Sequence, residues 1–266
     1  MNLRYITCSD PREFNDIHDI VKLGQMSSRV EIAVQAHPSK MSPGMPRNEW
    51  FHELLDYVMI DKYKIRLALH VNCEWCDEFC RTGKIPSELK EFFDLCRDGN
   101  AYNAVIKRWQ FNVPAETAKN IDVDAVKKFM NSYPEKYFIF QYNDKTHDAI
   151  YKLHNSGAYF SVLYDASGGR GIAPQSWKAP LFSKTPQGYS GGLSPENVSS
   201  VLDCVSAVAK RPVARRDNNG EMIYTTESRN DIWIDAEGRL KTDNKFDIAR
   251  ARQYILNAEE WLQNHR

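Results

Sequence analysis

Eight short apolar runs recur along this chain, and a longer stretch of helical spacing follows every one but the sixth. The runs are LRYITC (3–8), VEIAVQA (30–36), IRLALHV (65–71), NAVIKRWQF (103–111), YFIFQY (137–142), AYFSVLY (158–164), a short GYSG (188–191) and DIWIDA (231–236). This alternation constrains the fold more than any other feature. Strands buried on both faces read as near-continuous apolar runs, and parallel neighbours need a crossover helix between them. Eight such units in 266 residues predict an α/β protein, a closed (β/α)8 or TIM barrel spanning 1–266 as a single domain. An open, doubly wound sheet is the alternative for the same string.

Helices are expected over 11–25, 48–60, 86–96, 122–133, 145–157, 194–210 and 246–263. Asp122, Ser194 with Pro195, and Asp10 with Pro11 supply start signals. One segment stands outside the alternation. The polar stretch at about 211–230, RPVARRDNNGEMIYTTESRN, reads as an insertion carrying a short hairpin around Asn219-Gly220.

Composition excludes several function classes. Lys and Arg number 35, as do Asp and Glu, so no net field draws the chain to nucleic acid or an anionic membrane. The basic run KRPVARR (210–216) lacks interleaved aromatics and reads as a solvated loop. No apolar run approaches the roughly 20 residues of a spanning helix. The opening MNLRYITCSD has no leader-like apolar region, and the six cysteines form no small-scaffold disulfide pattern. The expectation is a cytoplasmic protein with reduced thiols, no nucleic-acid partner and no membrane partner. Nothing in the sequence speaks to oligomeric state.

In a barrel of this kind chemistry gathers where strands end and βα loops begin. Read in order, the strand ends carry Cys8; His37 and, further along its loop, Arg47; His70 and Asn72; Gln110 and Asn112; Gln141 and Asn143; Asp165; Gly191 and Gly192; Asp235 and Glu237. Two of these positions point to chemistry. In SGGLSPENV (190–198), backbone N–H groups at Gly191 and Gly192 could approach an anion at a helix start, as a phosphate requires. A tight turn with an ordinary cap explains the same residues. Cys8 and Asp165, on strands one and six, could face each other across the mouth as base and acid. The competing readings are a small apolar residue at a strand end for Cys8 and a turn residue for Asp165.

Cys73, Cys76 and Cys80 in CEWCDEFC fall on one face if this stretch is helical. With His70 they could make four zinc ligands, but the spacing is not that of a common zinc module, and packing cysteines on a helix face is the plainer reading.

Three motifs together resemble phosphoribosylanthranilate isomerase, the (β/α)8 enzyme of tryptophan biosynthesis. They are ITC at 6–8, VLYDASGGRG at 162–171 and GGLSPENV at 191–198, on the same strands and in the same order as in that family. WIDAEGRLKTDNKFD (233–247) is a looser counterpart of the family's last-strand motif. The resemblance implies an Amadori rearrangement of a phosphoribosyl-amine, an aldose–ketose isomerisation. Asp165 would be the general acid and Cys8 the general base. Backbone at Gly191, Gly192 and Gly238 would hold the phosphate. Arg47, in MPR, would meet the substrate's carboxylate. No metal and no organic cofactor is implied, and the partner is a small phosphorylated substrate.

The chain departs from the family pattern at two places. Arg170 stands where the family has Thr, a large cation at the rim. AEGRL puts Glu237 beside the presumed phosphate loop, with Arg239 as the expected compensating cation. These changes point to an altered substrate, or to a phosphosugar-binding barrel without catalysis.

Overall fold

The structure, a computed structural model, describes residues 2–60, 64–182, 185–209, 213–216, 221–225 and 231–265. Eight parallel strands close into a barrel: β1 (Asn2–Ser9), β2 (Val30–Ala36), β3 (Arg66–Val71), β4 (Ile106–Phe111), β5 (Tyr137–Tyr142), β6 (Ser161–Tyr164), β7 (Gln187–Ser190) and, after a two-strand excursion, β10 (Asp231–Ala236). The last of these pairs with β1 over Asn2–Cys8 and closes the ring. The (β/α)8 reading therefore holds, and the open sheet does not.

The excursion is β8 (Val213–Arg216) paired antiparallel with β9 (Met222–Thr225). The turn at Asn219-Gly220, and Lys210 to Pro212 of the basic run, lie outside the described residues. A second two-strand ribbon, β11 (Lys241–Thr242) with β12 (Lys245–Phe246), follows the last barrel strand.

Helices surround the barrel: α1 (Ile17–Gly24), α2 (Pro38–Met41), α3 (Pro46–Met59), α4 (Cys73–Thr82), α5 (Lys90–Asp94), α6 (Ala115–Lys119), α7 (Val123–Ser132), α8 (His147–Asn155), α9 (Val198–Ala209) and α10 (Ile248–Asn264). Asp122 caps α7 as its sequence suggests, accepting Ala125 N at 2.9 Å. Two other starts move. Asp16, not Asp10, caps α1, through His18 N and Asp19 N. The Ser194-Pro195 stretch forms a turn that runs into α9, whose first residue is Val198. The helical segments α2, α4 and α6 lie outside the expected helices. On α4, Trp75, Cys76, Phe79 and Cys80 are buried, and Phe79 stacks on Phe111 of β4 with ring centroids 3.9 Å apart. No described helix is long and apolar enough to cross a membrane.

Alternation along each strand separates two layers. Ile6 and Cys8 belong to the large apolar layer between strands and helices, with Val30, Ile32 and Val34. Tyr5, Thr7 and Ser9 point the other way, into the barrel. Tyr5 packs there with Ile139, Leu163 and Trp233. Thr7 donates to Glu31 at 2.8 Å and Ser9 to Asp235 at 2.5 Å. Arg108 pairs with Glu31 at 2.7 Å. Its guanidinium lies 4.0 Å from the centroid of the Tyr5 ring and 4.5 Å from that of Trp233. The buried charge is thus both neutralised and stacked. Gly188 makes room for this plug, since a Cβ there would stand 2.2 Å from the Trp233 ring.

Candidate active site

Above the plug the interior turns polar, because at their C-terminal ends the strands carry hydrogen-bonding side chains in the inward register. His70, Gln110, Gln141, Asp165 and Asp235 line a small cavity of about 130 Å³, closed on one side by Ser190, Gly191 and Gly192. Gly238, Arg239 and Arg170 complete its wall. A larger cavity of about 730 Å³ lies beside it, and Gln35, Asn112, Gln141, Gly169, Arg170 and Glu237 line both.

The two carboxylates of the small cavity sit in different surroundings. Asp165 accepts four hydrogen bonds: from Gln141 Nε2 (2.8 Å), Ser167 N (3.0 Å), Ser167 Oγ (2.7 Å) and Gly169 N (2.6 Å). It therefore organises the turn after β6 while also facing the cavity. Asp235 is as deeply buried but has fewer donors, chiefly Ser9 Oγ. Burial pushes its carboxyl up to about 6; the Ser9 hydrogen bond opposes this and the charge of Asp165 adds to it. His70 is driven the other way. Burial holds its ring down at about 4, against the pull of Glu31 and Glu237, so the ring is neutral.

Cys8 does not face this cavity, which corrects the expectation that it pairs with Asp165. Its side chain is fully buried in the apolar layer outside the strands and lines neither cavity. Burial first, and the charge of Asp235 second, push its thiol up, the opposite of what a thiolate base needs. The reason is parity. Cys8 shares its face with Ile6, and the inward positions on β1 belong to Thr7 and Ser9.

The other expected residues divide. Gly191 (φ +107°) and Gly192 (φ +67°) line the small cavity. Their glycine character already has a packing cause: a Cβ at Gly191 would meet Ile172 O at 2.8 Å, and one at Gly192 would meet Ala173 N at 2.7 Å. The loop after β6 thus rests on the loop after β7. Gly238 has open space around it. Arg170 curls back on its own loop, Nε donating to Ser167 O at 2.8 Å, and borders both cavities. Arg239 is exposed beside the small one.

Arg47 is not available for a carboxylate of the substrate. It is 4% exposed and held by Asp10 Oδ1 (3.3 Å), Gln35 O (3.3 Å) and Glu13 (3.5 Å). The cation that neutralises Glu237 is Lys241 (2.9 Å) rather than Arg239.

Lys241 also reaches Asp10 at 2.8 Å, and Arg12 completes a node of three cations on one buried carboxylate. Burial alone would raise Asp10. The hydrogen bond from Arg12 and the charges of Lys241 and Arg47 outweigh it and hold the carboxyl below its usual range. Asp10 takes φ +73°, a conformation Asp and Asn tolerate better than most side chains. Sequence reasoning missed Ser9, Gln35 and Lys241, read Asp10 only as a cap, and gave Asp235 no role. The alternation of ITCS, with hydroxyls at 7 and 9, is the signal that finds Ser9.

The four residues weighed and set aside as zinc ligands do not come together. His70 points into the barrel, Cys76 and Cys80 are buried under α4, and Cys73 is exposed at its start. Among the described residues no group of three or more His, Cys, Asp and Glu could hold a metal ion. Cys73 (φ +53°) instead lies 2.9 Å from His37 Nε2 at the edge of the larger cavity. His37 Nδ1 accepts Ser39 N, which leaves the Nε2 hydrogen to point at the sulfur.

A closed eight-stranded parallel barrel ringed by helices defines the (β/α)8 class, and a solved structure agrees at the level of fold. The chain is similar to TrpF from Jonesia denitrificans, at 14% identity over 97% of this chain and 98% of that one, with a TM-score of 0.51. It is also similar to N-(5'-phosphoribosyl)anthranilate isomerase from Pyrococcus furiosus (12% identity, 96% and 98% covered, TM-score 0.47) and to 3-hexulose-6-phosphate synthase from Salmonella typhimurium (10%, 97% and 99%, 0.46). No family model and no curated protein sequence matches the chain.

Proposed function

We propose that the protein is an acid–base enzyme acting on a small phosphorylated sugar derivative, an aldose–ketose isomerase of the phosphoribosylanthranilate isomerase type with a different catalytic pair. The observation that carries this reading is the placement of Asp165 and Asp235 in one small cavity with unlike environments. Pairs of carboxylates separated in this way divide into acid and base. Asp235, pushed up to about 6, keeps its proton to a higher pH than an ordinary carboxyl and suits the acid that opens the sugar ring at its oxygen. Asp165, fixed by four donors, suits the base that removes the proton from the carbon beside the resulting imine. The likeness of VLYDASGGRG and GGLSPENV to the isomerase motifs supports the same reaction class. Arg170, Arg239 and backbone at Gly191, Gly192 and Gly238 would take the phosphate.

The test is turnover of a panel of N-substituted phosphoribosylamines, phosphoribosylanthranilate among them. Asp165→Asn and Asp235→Asn should each lower kcat by about 10²–10⁴-fold, while Cys8→Ala keeps wild-type kcat. Absence of turnover by the wild type across the panel removes the isomerase reading.

A further inference from the structure

The larger cavity opens directly from the small one, so whatever substituent the reacting carbon carries must lie in it. Its lining is unusual for a site that takes an aromatic group. The chain holds 12 Phe, 13 Tyr and 6 Trp, yet none of the described ones lines this cavity. Carboxamides do: Gln35, Asn72, Asn112, Gln141 and Asn143.

Four carboxamides of the mouth are held in one directed relay. Gln110 Nε2 donates to Asn112 Oδ1 (3.0 Å), Asn112 Nδ2 to Asn72 Oδ1 (2.9 Å), Asn72 Nδ2 to Gln35 Oε1 (2.6 Å) and Gln35 Nε2 to Glu237 Oε2 (3.0 Å). Glu237 is itself anchored by Lys241. The relay fixes which end of each amide is donor and which is acceptor; it leaves a second lone pair on each accepting oxygen and a second N–H on Asn112, while the NH2 groups of Gln110, Asn72 and Gln35 are already shared with His70 and its neighbours. A hydroxyl both donates and accepts, so a row of hydroxyls matches such a wall. An aromatic ring would strip water from the amides and replace none of their hydrogen bonds. Of the described cations that line the cavity, Arg47 is buried and already held by Asp10 and Gln35 O, Arg12 is held by Asp10, and Arg170 curls back on Ser167 O; Lys40 and Lys145 lie at its rim.

We infer that the substrate's second half, beyond the reacting carbon, is a polyhydroxyl group, a second sugar or a polyol, and not an aromatic acid. This rests on the proposed phosphosugar reading of the small cavity. Sites built to hydrogen-bond hydroxyls reject analogues that lack them by large factors, reaching about 10⁴.

Two stable probes share one phosphate half. Reductive amination of ribose 5-phosphate with glucamine gives a polyol conjugate, and with anthranilate an aryl conjugate. Calorimetric titration of the wild-type protein with each, and with ribose 5-phosphate alone, tests the inference. The polyol conjugate is expected to bind at least about 30-fold more tightly than the aryl one, a modest share of the discrimination such walls achieve. Asn72→Leu, at a relay member that lines the larger cavity and not the small one, should narrow that ratio toward unity while leaving ribose 5-phosphate affinity unchanged. Equal or tighter binding of the aryl conjugate overturns the inference and leaves the proposed function standing. Failure of ribose 5-phosphate and both conjugates to bind overturns the phosphosugar reading and this inference with it.

Discussion

Ser9 Oγ donates to Asp235 Oδ1 at 2.5 Å, across the seam where the first and last barrel strands meet. That hydrogen bond opposes the burial that raises Asp235, so removing it should lift the carboxyl above about 6. On the proposed acid–base reading, with any substrate the protein turns over, the limb of the kcat/KM–pH profile that reports the proton on Asp235 should fall near pH 6. Ser9→Ala should shift it upward, and Asp235→Asn should abolish it. A limb unmoved in Ser9→Ala assigns it to another group.

His70 and Asp235 make opposite contributions to stability over nearly the same pH range. His70, held down at about 4, costs stability as pH falls from 6.5 to 4, because only the unfolded chain takes up the proton. Asp235, raised from 3.8 to about 6, adds stability as pH falls from 6 to 3.8, because the folded state binds its proton first. Each effect is roughly 3 kcal/mol at full extent, and in the wild type they nearly cancel. Asp235→Asn should therefore unmask a loss of roughly that size between pH 6.5 and 4, measured by urea unfolding. His70→Gln should show stability rising instead as pH falls. A flat profile in both variants contradicts the two assignments.

Asp10 is the shared counter-ion of Arg12, Arg47 and Lys241. Asp10→Asn keeps a residue that tolerates φ +73° but removes the charge. Buried Arg47 is then left beside two further cations, and the expected loss is about 3 kcal/mol or more. The contribution is present above the ordinary carboxylate pKa and is lost progressively as pH falls from there through the lowered folded-state value. Urea midpoints at pH 7 and pH 3 measure both halves of this prediction, and a loss of the same size at both refutes the charge argument.

Alkylation should sort the cysteines by layer. Cys73 and Cys204 are exposed and should react first with iodoacetamide, Cys96 more slowly, and Cys8, Cys76 and Cys80 only after unfolding. Cys73 lines the larger cavity, so a bound ligand should protect it and leave Cys204 unchanged. Rapid modification of Cys8 in the folded protein would reverse its placement in the apolar layer.

The barrel and the polar ring at its mouth were legible because both depend on local pattern. Apolar runs bury on both faces, and each run stops where a hydrogen-bonding residue opens a loop; His70, Gln110, Gln141, Asp165 and Asp235 all announce themselves in this way. What stayed hidden depends on which side of a strand a residue faces and on contacts distant in sequence. Cys8 looks like a strand-end nucleophile until Thr7 and Ser9 are seen to own the inward positions. Lys241 meets Asp10 from the far end of the chain, and no spacing signals that meeting. The glycines at 191 and 192 look like an anion cradle, and the packing of Ile172 and Ala173 on them is visible only in three dimensions.

The stack of Arg108, Tyr5 and Trp233, admitted by the missing side chain at Gly188, has a consequence for how this protein can change. It stoppers the barrel from below, so the cavity at the mouth has a fixed depth. New specificity cannot be gained by digging downward, because any gap opened there would unseat a buried ion pair. It can be gained only sideways, through the loops that follow the strands. Variation among descendants of this chain, or among engineered versions of it, should therefore alter the breadth of what is bound and leave its depth unchanged.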